Sequence, residues 1–153
     1  MNKEIVVREA VLEDLFTLLA FEQGVITAER PFDPTLAKDP ITYYNLEEMI
    51  LSDKAVVLVA VADKRIIASG FGKLKQAKPY LDHEIYAYLG FMFTHADYRG
   101  QGVNQHIVNE LMKWSDSKGI KEVRLTVYTE NIGAIKAYEK IGFKQYMIEM
   151  RLK

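Results

Sequence analysis

The sequence predicts an α+β domain: a mixed, mostly antiparallel central sheet flanked by about four helices. Two observations carry that prediction. Runs at Ile5 to Arg8, Ala55 to Ala62, Arg65 to Leu74 and Glu84 to Phe93 read as strands, and the short Asp63-Lys64 turn makes the middle two an antiparallel hairpin. Apolar residues at helical spacing come both before this block and after it, where helix and strand alternate.

Each element has its own signal. Ile5 to Arg8 is short and β-branched, a first strand. From Leu12 a helix is expected, because Leu12, Leu15, Phe16, Leu19 and Ala20 form one stripe, with Gly24 interrupting or ending it. Pro31, Pro34 and Pro40 then hold the chain in a loop of restricted path. A second helix is expected over Tyr43 to Leu51, with Leu46, Met49 and Ile50 inward. Ala55 to Ala62 is almost continuously apolar, the mark of a strand buried on both faces. Gly70 and Gly72 in the return strand suggest a bend or a close neighbour. Lys75 to Asp82 is polar and leads into the long strand Glu84 to Phe93. A helix from Gly102 to Ser117 carries Val103, Ile107, Leu111 and Trp114 on one face. A strand Glu122 to Tyr128, a helix Ile132 to Ile141 with Asn131 as N-cap and Gly142 past its end, and a last strand Phe143 to Leu152 complete the chain.

Composition narrows the function. The 153 residues suit a single domain over residues 1–153, with room for a real core. A net charge of −1 gives no general basis for nucleic-acid binding. The chain has no cysteine, so disulfides, thiolate metal sites and a cysteine nucleophile are excluded. His95 and His106 lack partners at metal-ligand spacing, and no metal is expected. The N-terminus has no signal-peptide core and no apolar run is long enough to cross a bilayer, so a cytoplasmic location without a membrane partner is expected.

One stretch carries chemistry. The apolar run Leu89 to Phe93 passes through a polar turn into Arg99-Gly100-Gln101-Gly102 and then the helix. The first turn of a helix has unpaired N–H groups and an electropositive end, and glycines let a pyrophosphate approach them. Arg99 adds a forked cationic donor suited to phosphate oxygens. A dinucleotide fingerprint is excluded because Gln105 stands where its third glycine would be. A triphosphate loop is excluded because Val103 and Asn104 follow Gly102 in place of its lysine and hydroxyl residue. The competing explanation is a tight strand-to-helix connection whose glycines serve geometry alone.

A second stretch favours the phosphate site: Asn131, Ala134, Ile135, Tyr138, Gly142 and Phe143. Together with Arg99, Gly102 and Asn104 it resembles the GCN5-related N-acetyltransferases (GNAT family), which use acetyl-coenzyme A. The resemblance covers nearly the whole order of elements and departs from the family pattern at Asn104, where a small residue is usual. It implies a sheet whose central strands splay apart to admit the pantetheine arm beside Phe91, Met92 and Phe93, with Gly90 at a strand bulge. It implies that Arg99, Gly100, Gln101, Gly102, Val103, Asn104 and Gln105 hold the pyrophosphate, with Asn131 near the arm. Tyr138 corresponds to the family's tyrosine that donates to the coenzyme sulfur. For the general base, Glu84 is the first candidate and His83 the second. Glu22, Glu29, Phe32, Asp33, Tyr44, Tyr86 and Tyr128 are candidates to line the acceptor side.

The resemblance thus implies an enzyme, an acetyl-coenzyme A-dependent N-acetyltransferase acting on a primary amine, small or peptidic, by direct attack in a ternary complex. A non-catalytic acyl-coenzyme A sensor is the alternative, and a purely structural interaction domain the third. The edge near Phe143 to Leu152 leaves a homodimer open.

Overall fold

The computed structural model describes residues 4–153. Its sheet runs β1 (Val6–Glu9), β2 (Ala55–Ala62), β3 (Arg65–Gln76), β4 (Ile85–Thr94), β5 (Val123–Arg124), in that spatial order. The first four strands are antiparallel, and β5 lies parallel to β4. Four α-helices accompany them: α1 (Leu15–Glu29), α2 (Leu46–Leu51), α3 (Val103–Ser117) and α4 (Ile132–Ile141). This is the expected α+β architecture. The β2–β3 hairpin turns through Asp63 and Lys64 at φ 52° and 65°, the left-handed pair that matches strand twist.

Strand β2 is buried on both faces, as its apolar run predicts, and so divides the core in two. Val56, Leu58, Ala60 and Ala62 meet Val103, Ile107, Val108 and Leu111 of α3, with Tyr138, Ile141 and Phe143 packed alongside. Val57 and Val59 face the other way, toward Leu18, Phe21 and Val25 of α1, Leu46 of α2, and Phe71 and Phe91.

Several expectations need correction. The buried face of α1 is Leu18, Phe21, Glu22, Val25 and Ile26, whereas Phe16 is 87% exposed and Leu12 and Leu19 are also exposed. The helix is apolar almost all round, so periodicity does not choose its face. It also runs straight through Gly24. Helix α2 starts at Leu46, not Tyr43, because the Asn45 side chain caps it by accepting from the Glu48 N–H, while the Tyr43 and Tyr44 N–H groups donate to Glu22. Of the strand expected over Glu122 to Tyr128, only Val123 and Arg124 join the sheet. The strand expected over Phe143 to Leu152 does not form a ladder among the described residues, and Tyr146, Met147, Ile148, Met150 and Leu152 are exposed.

The site is positioned by two irregularities of β4. Its pairing with β5 stops after Ala87–Val123 and Tyr88–Arg124, so the sheet opens from Leu89 onward. In its pairing with β3, Ser69 opposes Phe93 and Phe71 opposes Gly90, which sets Phe91 and Met92 against the single residue Gly70. The bulge therefore lies at Phe91, with φ 59°, and not at Gly90. The hydroxyl of Ser69 donates to the Phe91 carbonyl (3.1 Å) and pins it. Gly70 is opposite because a Cβ there would come within 2.6 Å of the Ile107 side chain and 2.9 Å of the Met92 sulfur.

Candidate active site

Beyond the bulge, β4 ends at Thr94 and a 3-10 turn (Ala96–Tyr98) leads to Arg99. His95 caps that turn, accepting from the Asp97 N–H at 3.2 Å, and also meets Arg65 at 3.1 Å, which explains it without a metal. Gly100 and Gly102 take φ 76° and 78°, and Gly102 is the N-cap of α3. A Cβ built on either would meet nothing within 4 Å, so the cradle over the helix N-terminus is open. The backbone N–H groups that follow, from Val103 to Gln105, belong to the first turn and lack helical acceptors. Arg99 is fixed by Nε donating to the Thr94 carbonyl (3.0 Å), and Gln101 by donating to the Asp97 carbonyl (3.2 Å). Backbone, glycines and cation together fit a pyrophosphate.

Helix α4 brings Tyr138 to the same end. Its N-cap is Asn131, whose side chain accepts from the Ala134 N–H at 3.3 Å, and Gly142 closes it at φ 122°. Tyr138 packs edge-to-face on Phe143 with ring centroids 6.0 Å apart, on the α3 face of the sheet. The Asn104 side chain lies near enough to influence its hydroxyl. Burial pushes that hydroxyl up to about 12, and Asn104 pulls the other way by favouring the ionised form. The residue that departs from the family pattern thus lies near the tyrosine. Phe91 and Phe93 turn their rings into the α1-side core and Met92 turns to the α3 side, which leaves the strand backbone to line the gap.

The opposite side of the gap is built by the α1 end and the segments after it. Phe32 stacks on Tyr128 at 6.1 Å and 20°. Asp33 accepts from the Thr35 N–H (3.0 Å), the Tyr128 hydroxyl (3.0 Å) and Arg151 (3.3 Å). The bonds from Thr35, then those from Tyr128 and Arg151, hold its carboxyl well below the usual range. Tyr128 is pushed up to about 12 by burial and by the bond to Asp33. Glu22 is fully buried and its Oε2 accepts from the N–H groups of Tyr43 and Tyr44 at 2.9 and 2.8 Å. Tyr44 packs edge-on to Phe91 at 5.4 Å. Burial raises both Tyr43 and Tyr44, with the charge of Glu29 contributing to each. Burial likewise raises Glu29, and the charge of Asp33 adds to it. On the floor, the Tyr88 hydroxyl reaches across from β4 to Thr126 at 2.6 Å.

The structure therefore brings Arg99 to Gln105, Tyr138 and the β4 bulge to one side of the opening, and Phe32, Asp33, Tyr44 and Tyr128 to the other, while Asn131 caps α4 and Glu29 ends α1. Glu22 serves from behind, as a clasp. It does not bring His83, Glu84 or Tyr86 there. All three lie at the start of β4, on the paired side of the split; Glu84 is seven positions before Phe91, roughly 23 Å along a strand. Glu84 and His83 border a surface hollow with Lys54, Lys75 and Lys78. His83 is held between Asp82 (2.8 Å) and Arg124 (3.2 Å), and Arg124 covers the Tyr86 ring at 4.3 Å. Tyr43, which sequence reasoning did not single out, lies beside Tyr44; no local pattern signals it, since Glu22 places it from twenty-one positions away. Among the described residues no group of side chains could hold a metal ion, and no helix is long and apolar enough to cross a membrane.

Comparison with known proteins agrees with this fold. A curated relative, an uncharacterized N-acetyltransferase of Methanocaldococcus jannaschii named MJ1207, is 33% identical over 54 residues, 35% of this chain. That match spans only 24% of the relative's own length. Among solved structures, a tetramutant of the BH1408 protein from Bacillus halodurans superposes with a TM-score of 0.85 at 21% identity, covering 97% of this chain and 99% of that one. A predicted acetyltransferase from Clostridium acetobutylicum, solved with acetyl-CoA, gives a TM-score of 0.76 at 18% identity over 98% and 96%. At such identities these likenesses establish the fold. The profile of the acetyltransferase (GNAT) family matches residues 17–143, and over that span, with this fold, the chain belongs to the GNAT acetyltransferase family.

Proposed function

We propose that the chain is an acetyl-coenzyme A-dependent N-acetyltransferase that acetylates a primary amine, small or peptidic, by direct attack in a ternary complex. The observation that carries this reading is the convergence, on the α3 face of the opening sheet, of the glycine-cradled α3 N-terminus and the partly buried Tyr138 of α4. The donor supplies an activated acetyl thioester. The chain's own groups then have defined work. The N–H groups of the α3 first turn, with Arg99, hold the pyrophosphate. The backbone of β4 from Leu89 onward, left without a β5 partner, orients the arm in the gap, as an added strand would be oriented. Tyr138 remains protonated near neutral pH and holds its proton toward the departing sulfur. Direct attack is favoured because no cysteine can carry an acetyl group in between.

An amine near pKa ~10.4 must give up a proton before it attacks, which at neutral pH costs roughly 4.6 kcal/mol. The acidic and tyrosine-rich side of the opening suits such a cation. The test of the donor site is the thermal midpoint of the purified protein with acetyl-coenzyme A. At about 100 times the Kd, stabilisation of roughly 2.7 kcal/mol is expected, or about 5–10 °C. No shift at millimolar donor would make the glycine turn a structural device alone.

A further inference from the structure

We infer that the acceptor amine carries an anionic group, a carboxylate or a phosphate, and that Lys75 and Arg124 receive it over the rings of Tyr86 and Tyr88. This rests on the acetyl-transfer reading above and adds to it a specificity: the substrate is an amine with a negative charge a few bonds from its nitrogen.

The two cations come from the strands on either side of β4. In the ladder, Lys75 of β3 stands opposite Tyr86, and Arg124 of β5 stands opposite Tyr88. Each leans to the other tyrosine: Lys75 Nζ lies 4.1 Å from the centre of the Tyr88 ring, and the Arg124 guanidinium carbon 4.3 Å from that of Tyr86. Side chains two apart on a strand share a face, so both rings and both cations lie on one side of the sheet. That is the α1 side, since Tyr88 packs on the cluster that holds Phe71 and Phe91. β3 and β5 stand roughly 10 Å apart across β4, a width that one carboxylate or phosphate can bridge between two long cationic side chains. The place matters as much as the charge. Tyr88 is the last residue of β4 paired with β5 before the sheet opens at Leu89, and its hydroxyl reaches across to Thr126 at 2.6 Å. An anion held over the two rings therefore lies one to two residues, about 3–7 Å along the strand, from the opening that would admit the thioester.

The positive charge there is not neutralised within the protein. Lys75 is half-buried, and so is Lys73, two residues before it on the same face and opposite Tyr88. Among the described residues neither has a carboxylate within ion-pair distance, although Glu84 borders the same hollow as Lys75. Arg124 is steadied at two of its nitrogens: Nε donates to Glu122 at 3.0 Å, and Nη2 meets His83 at 3.2 Å. Its Nη1 has no protein partner among the described residues. Glu122 thus offsets one charge of the three, and two remain. A tyrosine ring supports an ammonium or guanidinium group without cancelling its charge or occupying its donors. A point cation and a forked one directed at one spot are the donor set that a carboxylate or phosphate takes. The carboxylate of the acceptor side, Asp33, is engaged by Arg151, Thr35 and Tyr128 instead.

The experiment offers the full chain, Lys75→Met and Lys75→Glu a set of amines of similar length: 4-aminobutyrate, 3-aminopropyl phosphate, butylamine and diaminobutane. Thiol release reports turnover, and the acetyl-coenzyme A thermal shift reports fold and donor site. The wild type is expected to acetylate an anionic amine with kcat/KM about tenfold or more above butylamine, and diaminobutane least well. Which anionic amine leads tells carboxylate from phosphate. Lys75→Met should keep the thermal shift and lower the anionic-to-butylamine ratio several-fold, chiefly through KM. Lys75→Glu should bring that ratio to about one or below and raise diaminobutane relative to butylamine. Added salt should erode the wild-type preference and leave the Lys75→Glu ratio nearly still. A wild-type ratio within about twofold of one, or a ratio that Lys75→Glu leaves unchanged, would overturn the inference while leaving acetyl transfer standing. A wild-type protein that binds the donor but releases thiol with none of the amines would overturn the transfer reading, and this specificity with it.

Discussion

Replacing Gly102 by alanine separates coenzyme binding from folding. Gly102 sits at φ 78° as the N-cap of α3, and a Cβ there meets nothing within 4 Å. No clash is created, so the folded apo protein bears only the left-handed backbone term, about 1–2 kcal/mol. For a chain of this size that lowers the thermal midpoint by about 2–8 °C. The new methyl, however, projects into the open space through which a pyrophosphate would reach the α3 N–H groups. If affinity falls about 100-fold, donor at the former 100 Kd sits at the new Kd and contributes only ~0.4 kcal/mol. The assay is thermal unfolding with and without acetyl-coenzyme A. The control is Gly119→Ala, at φ 75° with equally open space beyond the far end of α3. It should show the same apo penalty and a full ligand shift. A Gly102→Ala protein that keeps the full shift would refute the placement of the pyrophosphate.

Other substitutions have equally definite outcomes. Tyr138→Phe should cut kcat far more than donor affinity, and a wild-type rate across pH would remove the tyrosine from the reaction. Glu22→Ala strands two backbone N–H groups, each worth about 1–3 kcal/mol, and should lower the urea midpoint without changing its slope. Arg8 holds Asp14 at 2.8 Å, and that bond is the main reason the Asp14 carboxyl lies below its usual range. Its stabilisation is full above an unfolded value near ~3.9 and is lost as pH falls through the lower folded value, so Asp14→Asn should flatten the acid decline below about pH 4. An unchanged acid limb would show that the pair contributes nothing.

What the sequence makes legible depends on where the determining forces act. Ala55–Ala62 and Ile132–Ile141 are bounded as expected because their signals are local: a hairpin turn for one, an Asn cap and a Gly stop for the other. Gly24 misleads, because it meets a packing need and not a helix end; a Cβ there would come within 2.5 Å of the Phe93 ring. Residues 125–128 and 143–152 have strand-like composition, but alternation reports side chains and not whether a neighbouring backbone is in register. The proposed donor half of the site lies in two contiguous motifs, which is why the sequence alone suggests it. The proposed acceptor half is built from Glu22 with Tyr43 and from Asp33 with Tyr128 and Arg151, joined only by tertiary contacts, and no spacing rule links them. The placement of a base at Glu84 or His83 fails to account for strand length: the start of β4 is far from the bulge where its sheet opens.

The most direct test of acetyl transfer is thiol release by the purified chain from acetyl-coenzyme A, with and without diaminobutane, and the mass of the amine afterward. Amine-dependent release with one acetyl group gained by the amine is the predicted result. Donor binding with no amine-dependent release from a broad amine panel would contradict it and leave the fold serving as an acyl-coenzyme A sensor.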